Sequence, residues 1–157
     1  ADKPAPADAE VPTLLFVGTL SAQKGVPDLL RASIAVAAGN PHRLSIIGAG
    51  PLDAEVRAAA AQHPHITVLG RQPRDGVRAA LRTATALVLP TQQQGQAREA
   101  AGLVLLEAQA CGTPAIAYAT GGTPEMLVDD ETGMLVPERD EAALQTALHT
   151  LLTLPTA

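Results

Sequence analysis

Short apolar runs alternate with helical repeats along most of this chain. Each run holds four to six residues, mainly Leu, Ile, Val and Ala, and most runs end at Gly or Pro. Between the runs, apolar residues return every three or four positions, which is the spacing of one face of a helix. The six runs cover residues 13–18, 44–48, 66–70, 86–90, 115–118 and 133–137.

This alternation predicts βαβ units, and therefore a parallel sheet with helices on both faces. Because the crossovers in such units are right-handed, the predicted fold is an α/β, doubly wound parallel sheet of the Rossmann-like kind. Residues 1–12 are rich in Pro, Ala and charge and offer little to bury, which predicts a linker or disordered tail before one domain over residues 13–157. Asp75 is predicted to cap the helix after the third strand.

The composition is that of a globular domain and excludes several partners. Hydrophobic residues make up 46% of the chain, and Phe16 and Tyr118 are its only aromatic residues. With so few stacking groups and a net charge of -5, no nucleic-acid partner is expected. Because no apolar stretch approaches the ~20 residues of a membrane span and no signal peptide is recognisable, no membrane segment and a cytoplasmic location are expected.

The cysteine and the histidines predict neither a disulfide nor a metal site. Cys111 is the one cysteine and lies in an apolar helical run, which predicts a buried core position. His63 and His65 flank a proline in a predicted loop and are expected at the surface. Since none of these residues has a metal-ligand spacing, no metal cofactor is expected.

Ligands of a doubly wound sheet bind beyond the carboxyl ends of the strands, where the strand order reverses. The predicted loops at that edge are residues 18–25, 91–102 and 120–125. The helix that starts near Gly102 offers unpaired N–H groups and its positive dipole end to an anion, and Lys24 can add a compact positive charge. Each residue alone also fits a solvated lysine or a helix-entry glycine, but together they favour a diphosphate site.

Three other signatures are absent. Gly-x-Gly-x-x-Gly does not follow the first strand, because Leu20 and Gln23 stand where its second and third glycines belong after Gly18. The chain also lacks the Gly-Lys-Ser or Gly-Lys-Thr of a Walker A loop and the Gly-x-Ser-x-Gly of a serine hydrolase. Nicotinamide cofactors, P-loop chemistry and a serine nucleophile are therefore disfavoured.

Four segments together resemble the C-terminal, donor-binding half of the GT-B glycosyltransferases, in particular the retaining family 4 (glycosyl transferases group 1). They are FVGTLSAQKGVPDLLRA at 16–32, IIGAGPL at 46–52, two glutamates separated by seven residues, and TGGTPEMLVDDETGMLVPERD at 120–140. The two glutamates are Glu99 and Glu107. Each segment alone is a weak signal, but their order and spacing are specific.

The resemblance implies a role for each matching residue. Glu107 is expected to bind the ribose hydroxyls and Glu99 the transferred sugar of a UDP- or GDP-sugar, with no metal, through charge-assisted hydrogen bonds. Lys24 and Glu99 are the residues expected to carry catalysis. The other expected donor contacts come from the first loop, the loop that holds the base and the backbone of the phosphate-binding helix: Gly18, Thr19, Arg71, Gln72, Ala101, Gly102, Leu103 and Val104.

The chain departs from the family pattern in three ways. Thr19 stands where the family usually has an arginine that shares the phosphates, and Ala100-Ala101 replaces a Gly-aromatic pair. The N-terminal acceptor-binding half is not in this sequence, so the fragment is expected to bind a donor weakly and transfer nothing, and any peripheral membrane contact would come from that half. Two rival interpretations are a catalytically degenerate nucleotide-binding module of the same fold and an unrelated Rossmann-like domain.

Overall fold

The computed structural model describes residues 11–92, 102–119 and 133–153. Several sequence predictions lie outside these residues: the tail up to residue 10, most of the 91–102 loop and the 120–125 loop. Glu99 and Ala101 are also outside. The boundary between tail and domain stays a prediction, although the first described strand begins at Thr13, where the first apolar run was identified.

The described strands form one six-stranded parallel sheet in the order β3-β2-β1-β4-β5-β6. The first three strands are therefore added from β1 towards one edge of the sheet. The chain then crosses back to the other side of β1, and β4, β5 and β6 are added towards the opposite edge. This confirms the predicted doubly wound sheet and places its switch point between β1 and β4. The strands are β1 (Thr13–Val17), β2 (Arg43–Ile47), β3 (Ile66–Gly70), β4 (Ala86–Leu89), β5 (Ala115–Tyr118) and β6 (Gly133–Val136).

Helices cover both faces of the sheet. The C-terminal helix packs on the helix that follows β1, and the helix after β3 packs on the one that precedes β5. Because the two halves of the sheet are wound in opposite directions, these two pairs lie on opposite faces. The helices are α1 (Val26–Ala37), α2 (Asp53–Gln62), α3 (Arg74–Thr83), α4 (Gly102–Ala110) and α5 (Glu141–Thr153).

The core consists of aliphatic side chains on both faces of the sheet. All four residues of β4 and all four of β5 are buried, as expected for central parallel strands covered on both sides. Phe16 and Tyr118 are buried among Leu, Ile, Val and Ala. Cys111 is only half-buried against this core, so the predicted fully buried position is wrong.

The predicted helix cap at Asp75 is also wrong. Pro73 takes the N-cap position of α3 with φ -66° and ψ 165°, and the helix begins at Arg74. Since proline fixes φ and has no N–H to leave unpaired, it suits this end of the helix. Asp75 falls instead in the first turn, where its charge is favourable to the helix dipole.

His42 is buried and His65 is half-buried at the amino edge of the sheet, away from the predicted ligand edge. His42 Nδ1 donates to the carbonyl oxygen of Asn40 at 2.9 Å, which leaves Nε2 as the acceptor for the Ser33 hydroxyl at 2.7 Å. His65 Nε2 in turn donates to Ser33 Oγ at 3.0 Å. His65 is thus partly exposed, as predicted, but also partly covered, and burial lowers the pKa of both imidazoles.

Candidate functional site

A cavity of about 360 Å³ opens where β1, β2 and β3 end. Since the strands are parallel, their carboxyl ends share one edge of the sheet, and residues distant in sequence meet there. Gly18 and Thr19 follow β1, Gly48 and Ala49 follow β2, and Arg71 and Gln72 follow β3. The structure thus brings together four of the predicted donor contacts, Gly18, Thr19, Arg71 and Gln72, while their roles stay predictions.

The floor of this cavity depends on two glycines from neighbouring loops. Gly48 has φ 138°, and a Cβ on it would lie 1.8 Å from the carbonyl oxygen of Gly18. Gly48 and Ala49 belong to the IIGAGPL segment that contributes to the family resemblance, but neither was singled out as a site residue. The available signal was Gly48 itself, the glycine that ends the second apolar run at the predicted ligand edge.

Lys24 lies beside the end of β4 rather than in the cavity wall. Gly25, which caps α1, has φ 74°, and a Cβ on it would lie 1.8 Å from the carbonyl oxygen of Pro90. The backbone N–H of Gln92 donates to the carbonyl oxygen of Gln23 at 2.6 Å. Both neighbours of the half-buried Lys24 therefore contact the segment after β4, on the other side of the switch point.

Thr91 occupies the same strand end and has an unused hydroxyl. The residue is 3% exposed, and within the described residues its Oγ1 is buried without a hydrogen-bond partner. A buried, unsatisfied hydroxyl costs about 1–3 kcal/mol. The end of β4 therefore has a hydrogen-bonding group that no described residue uses. In the sequence, Thr91 was indistinguishable from the polar loop that follows it.

The N-terminus of α4 is the better anion site of the two helices next to the switch point. Its first turn contains Gly102, Leu103 and Val104 and no acidic residue. The first turn of α1, in contrast, contains Pro27, which has no N–H, and the buried carboxylate of Asp28. Within the described residues, the first turn of α4 thus has no acidic side chain that would compete with an anion at its amides.

Glu107 projects from α4 towards the start of α3. Arg74 Nη2 lies 3.7 Å from Glu107 Oε1, with the arginine side chain 70% and the glutamate side chain 22% exposed. An exposed pair of this kind contributes only about 0–1 kcal/mol, so a ligand can displace the arginine at little cost. Arg74 was missed in the sequence, although it lies only two positions after Gln72, a predicted base-binding residue.

Two features concern the chain as far as the structure describes it. Within residues 11–92, 102–119 and 133–153, no group of three or more His, Cys, Asp or Glu side chains is placed to hold a metal ion. Over the same ranges, no helix has the length and apolar character needed to cross a membrane.

The fold and the cavity define a doubly wound α/β domain with a ligand cleft at the carboxyl edge of its sheet. Comparison with known proteins then places it more narrowly. The chain belongs to the family described as Glycosyl transferases group 1, which it matches over residues 11–154. The predicted relationship to the GT-B glycosyltransferases is thereby confirmed.

Three relatives illustrate this membership. D-inositol 3-phosphate glycosyltransferase 2 of Catenulispora acidiphila is 33% identical over 96% of this chain. A GDP-mannose-dependent alpha-(1-6)-phosphatidylinositol monomannoside mannosyltransferase of Mycolicibacterium smegmatis is 31% identical over 92% of it. The structure of sucrose-phosphate synthase from Thermosynechococcus elongatus superposes with a TM-score of 0.78 and 29% identity over 92% of the chain. This chain spans only 36–39% of the length of these proteins.

Proposed function

We propose that this chain is the donor-binding half of a glycosyltransferase that moves a sugar from a nucleotide-diphosphate sugar to an acceptor hydroxyl with retention at the anomeric carbon. The observation that carries the proposal is the cavity at the carboxyl edge, where Gly18 and Thr19 meet Arg71 and Gln72 in a member of a glycosyltransferase family. A cleft of about 360 Å³ is of the size that binds small molecules.

In this proposal the donor extends along the edge of the sheet. The base lies near Arg71 and Gln72, and the diphosphate lies between Lys24 and the first amides of α4. Glu107 exchanges its weak contact with Arg74 for hydrogen bonds from the ribose hydroxyls. Because these hydroxyls are neutral donors, a carboxylate can bind them even though the charged phosphates lie nearby. Glu99 would contact the transferred sugar, but it lies outside the described residues.

The chemistry required of this half is stabilisation of the leaving diphosphate. As the bond to the sugar breaks, negative charge grows on the phosphate oxygen, and preorganised donors at that position lower the barrier by several kcal/mol. Lys24 and the α4 N-terminus provide such donors without a divalent metal. Retention is expected to follow a front-face path that uses no enzyme nucleophile.

The acceptor half belongs to the proposal as well. Because this chain spans 36–39% of its relatives' length, we expect an N-terminal acceptor-binding domain in the complete protein, a cytoplasmic location and no transfer by this chain alone. The rival interpretation, a degenerate binding module, is not favoured, since both curated relatives are named as transferases.

Calorimetric titration of the chain with UDP, GDP and ADP, in the presence of EDTA, tests this proposal. We expect one nucleotide to bind and Lys24→Ala to weaken that binding at least about tenfold, because a charge-assisted contact is lost. Lys3→Ala is the matched control, since Lys3 is the other lysine and belongs to the predicted tail. If Lys24→Ala and Lys3→Ala bind as tightly as the wild type, or binding needs a metal, the proposed site is wrong.

A further inference from the structure

A buried carboxylate joins the elements around the switch point. Asp28, in the first turn of α1, is 7% exposed and accepts hydrogen bonds on both oxygens. Its Oδ2 accepts from Tyr118 Oη at 2.6 Å and from Gln92 Nε2 at 2.8 Å, and its Oδ1 accepts from Arg31 Nη2 at 2.9 Å. Arg31 also bonds to both carboxylate oxygens of Glu141, at the start of α5. We call these five residues the Asp28 cluster.

The Asp28 cluster contains more hydrogen-bonding partners than stabilisation of the α1 N-terminus requires. A single acidic residue in a helix's first turn is already favourable when it is exposed to water. Here the carboxylate is buried, which is costly unless its oxygens are hydrogen-bonded, and two of its three partners come from outside its own helix, Gln92 after β4 and Tyr118 in β5. Burial, together with the hydrogen bond to Asp28, raises the pKa of Tyr118, so the phenol remains a donor at any ordinary pH.

The Asp28 cluster is connected through Gln92 to the residue before Lys24. Gln92, whose side chain bonds to Asp28, also donates its backbone N–H to Gln23, the residue before Lys24. The residue after Lys24 is Gly25, which lies against Pro90, two positions before Gln92. The position of Lys24 relative to the end of β4 is thus set by contacts of the residue before it and of the residue after it. The Asp28 cluster holds Gln92, which is the β4-side partner in the first of these contacts.

We infer that Asp28 and Tyr118 are positioning residues of the donor site: through Gln92 they hold Lys24 at a set position beside the end of β4. The inference rests on the proposed function, because it assigns the cluster a role in binding the nucleotide diphosphate. Neither residue needs to touch the donor. Their contribution is to preorganise the charged group, which reduces the cost of ordering it when the ligand binds.

Two substitutions separate positioning from simple electrostatics. Asp28→Asn removes a negative charge near an anion site, so by charge alone it strengthens diphosphate binding, whereas lost positioning weakens it. Tyr118→Phe leaves the charge and the buried ring unchanged and removes one hydrogen bond to the carboxylate. Asp53→Asn is the matched control, because Asp53 is also in the first turn of a helix and pairs with an arginine, Arg57, but contacts neither a tyrosine nor a glutamine in the described residues.

The test titrates the 157-residue chain and these variants with UDP, GDP and ADP well below their unfolding temperatures. We expect Tyr118→Phe and Asp28→Asn each to raise Kd roughly threefold to tenfold, and Asp53→Asn to leave it unchanged. In ligand-free samples, hydrogen exchange at the Gln92 amide, which bonds to Gln23, should accelerate about tenfold in the first two variants only.

The outcomes separate the two proposals. If the wild type binds a nucleotide and Tyr118→Phe lowers only the thermal midpoint, with Kd and Gln92 exchange unchanged, the cluster is structural and the inference is overturned while the proposed function stands. Tighter binding by Asp28→Asn overturns the inference in the same way. If the wild-type chain binds none of the three nucleotides, the proposed function fails and the inference fails with it.

Discussion

Gly25→Ala should destabilise this domain far more than an ordinary glycine substitution in a turn. Gly25 has φ 74°, so alanine there adopts a left-handed conformation that costs roughly 1 kcal/mol. The added Cβ would lie 1.8 Å from Pro90 O, 2.7 Å from Pro90 C and 2.8 Å from Pro90 Cγ. Since real Cβ contacts do not come under 3.0 Å, the start of α1 and the end of β4 must separate by at least 1.2 Å, the difference between those two distances.

That separation has a cost which can be estimated from the contacts it disturbs. Forcing an extra methyl group into a packed contact costs about 1–3 kcal/mol. The hydrogen bond from Gln92 N–H to Gln23 O, 2.6 Å long, spans the same gap, and its loss costs about 1 kcal/mol more. With the conformational term, Gly25→Ala should lower the free energy of unfolding by about 3–5 kcal/mol.

Gly112→Ala is the matched control. Gly112 has φ 73°, nearly that of Gly25, but no atom of the described residues comes within 4 Å of a Cβ built there. Its substitution therefore carries the conformational cost alone, roughly 1 kcal/mol. Urea unfolding followed by circular dichroism measures both variants. A difference of at least about 2 kcal/mol is expected between them, and equal losses would refute the close contact between α1 and β4.

Two further predictions concern stability away from the cavity. Because burial lowers the pKa of His42 and His65 below the ordinary 6.5, the unfolded chain binds more protons just below pH 6.5. The contribution of the two histidines to the free energy of unfolding is therefore complete above that pH. It is lost as the pH falls towards the lowered pKa values, by up to about 1.4 kcal/mol per pH unit for each histidine. Urea unfolding between pH 7.5 and 5 should show a shallower loss of stability in His42→Gln than in the wild type, and an unchanged slope contradicts this prediction. Thr113→Val should cost about 1–3 kcal/mol, because Thr113 Oγ1 donates to the otherwise unsatisfied Leu81 carbonyl near the end of α3. Thr83→Val, at an exposed position of the same helix, should cost under about 0.5 kcal/mol in the same assay, and similar costs for both variants contradict the buried bond.

The fold was predictable because each element carries its own local signal. Both faces of a central parallel strand are covered, so β4 and β5 read as uninterrupted apolar runs, and the helices between strands show their own spacing. The errors occurred where local signals competed. Asp75 is a good cap in isolation, but Pro73 stands two residues earlier and takes the position. His65 follows a proline, as loop residues often do, but it is half-buried rather than fully exposed because it also contacts the buried Ser33 hydroxyl.

The site was predictable only as far as the strand-end rule reaches. That rule selected the loop that contains Gly18 and Thr19, while Arg71 and Gln72 came from the family resemblance, and the structure gathers all four around one cavity. The rule does not select residues that enter from elsewhere. Arg74 reaches Glu107 only because α3 and α4 pack side by side, which the sequence pattern of neither helix specifies.

Asp28 shows most clearly why the other contacts around the site could not be predicted from the sequence. In the sequence it is a first-turn acidic residue, and the helix dipole explains such a residue fully. Its partners Gln92 and Tyr118 are 64 and 90 positions away, and they meet it only because β4 lies next to β1 and β5 lies next to β4 in the sheet. The same carboxylate also distinguishes the two helices at the switch point. With Asp28 in the first turn of α1, that N-terminus already holds a negative charge. The described first turn of α4 has no acidic residue, and for this reason the proposed function assigns the phosphates to α4 rather than to α1.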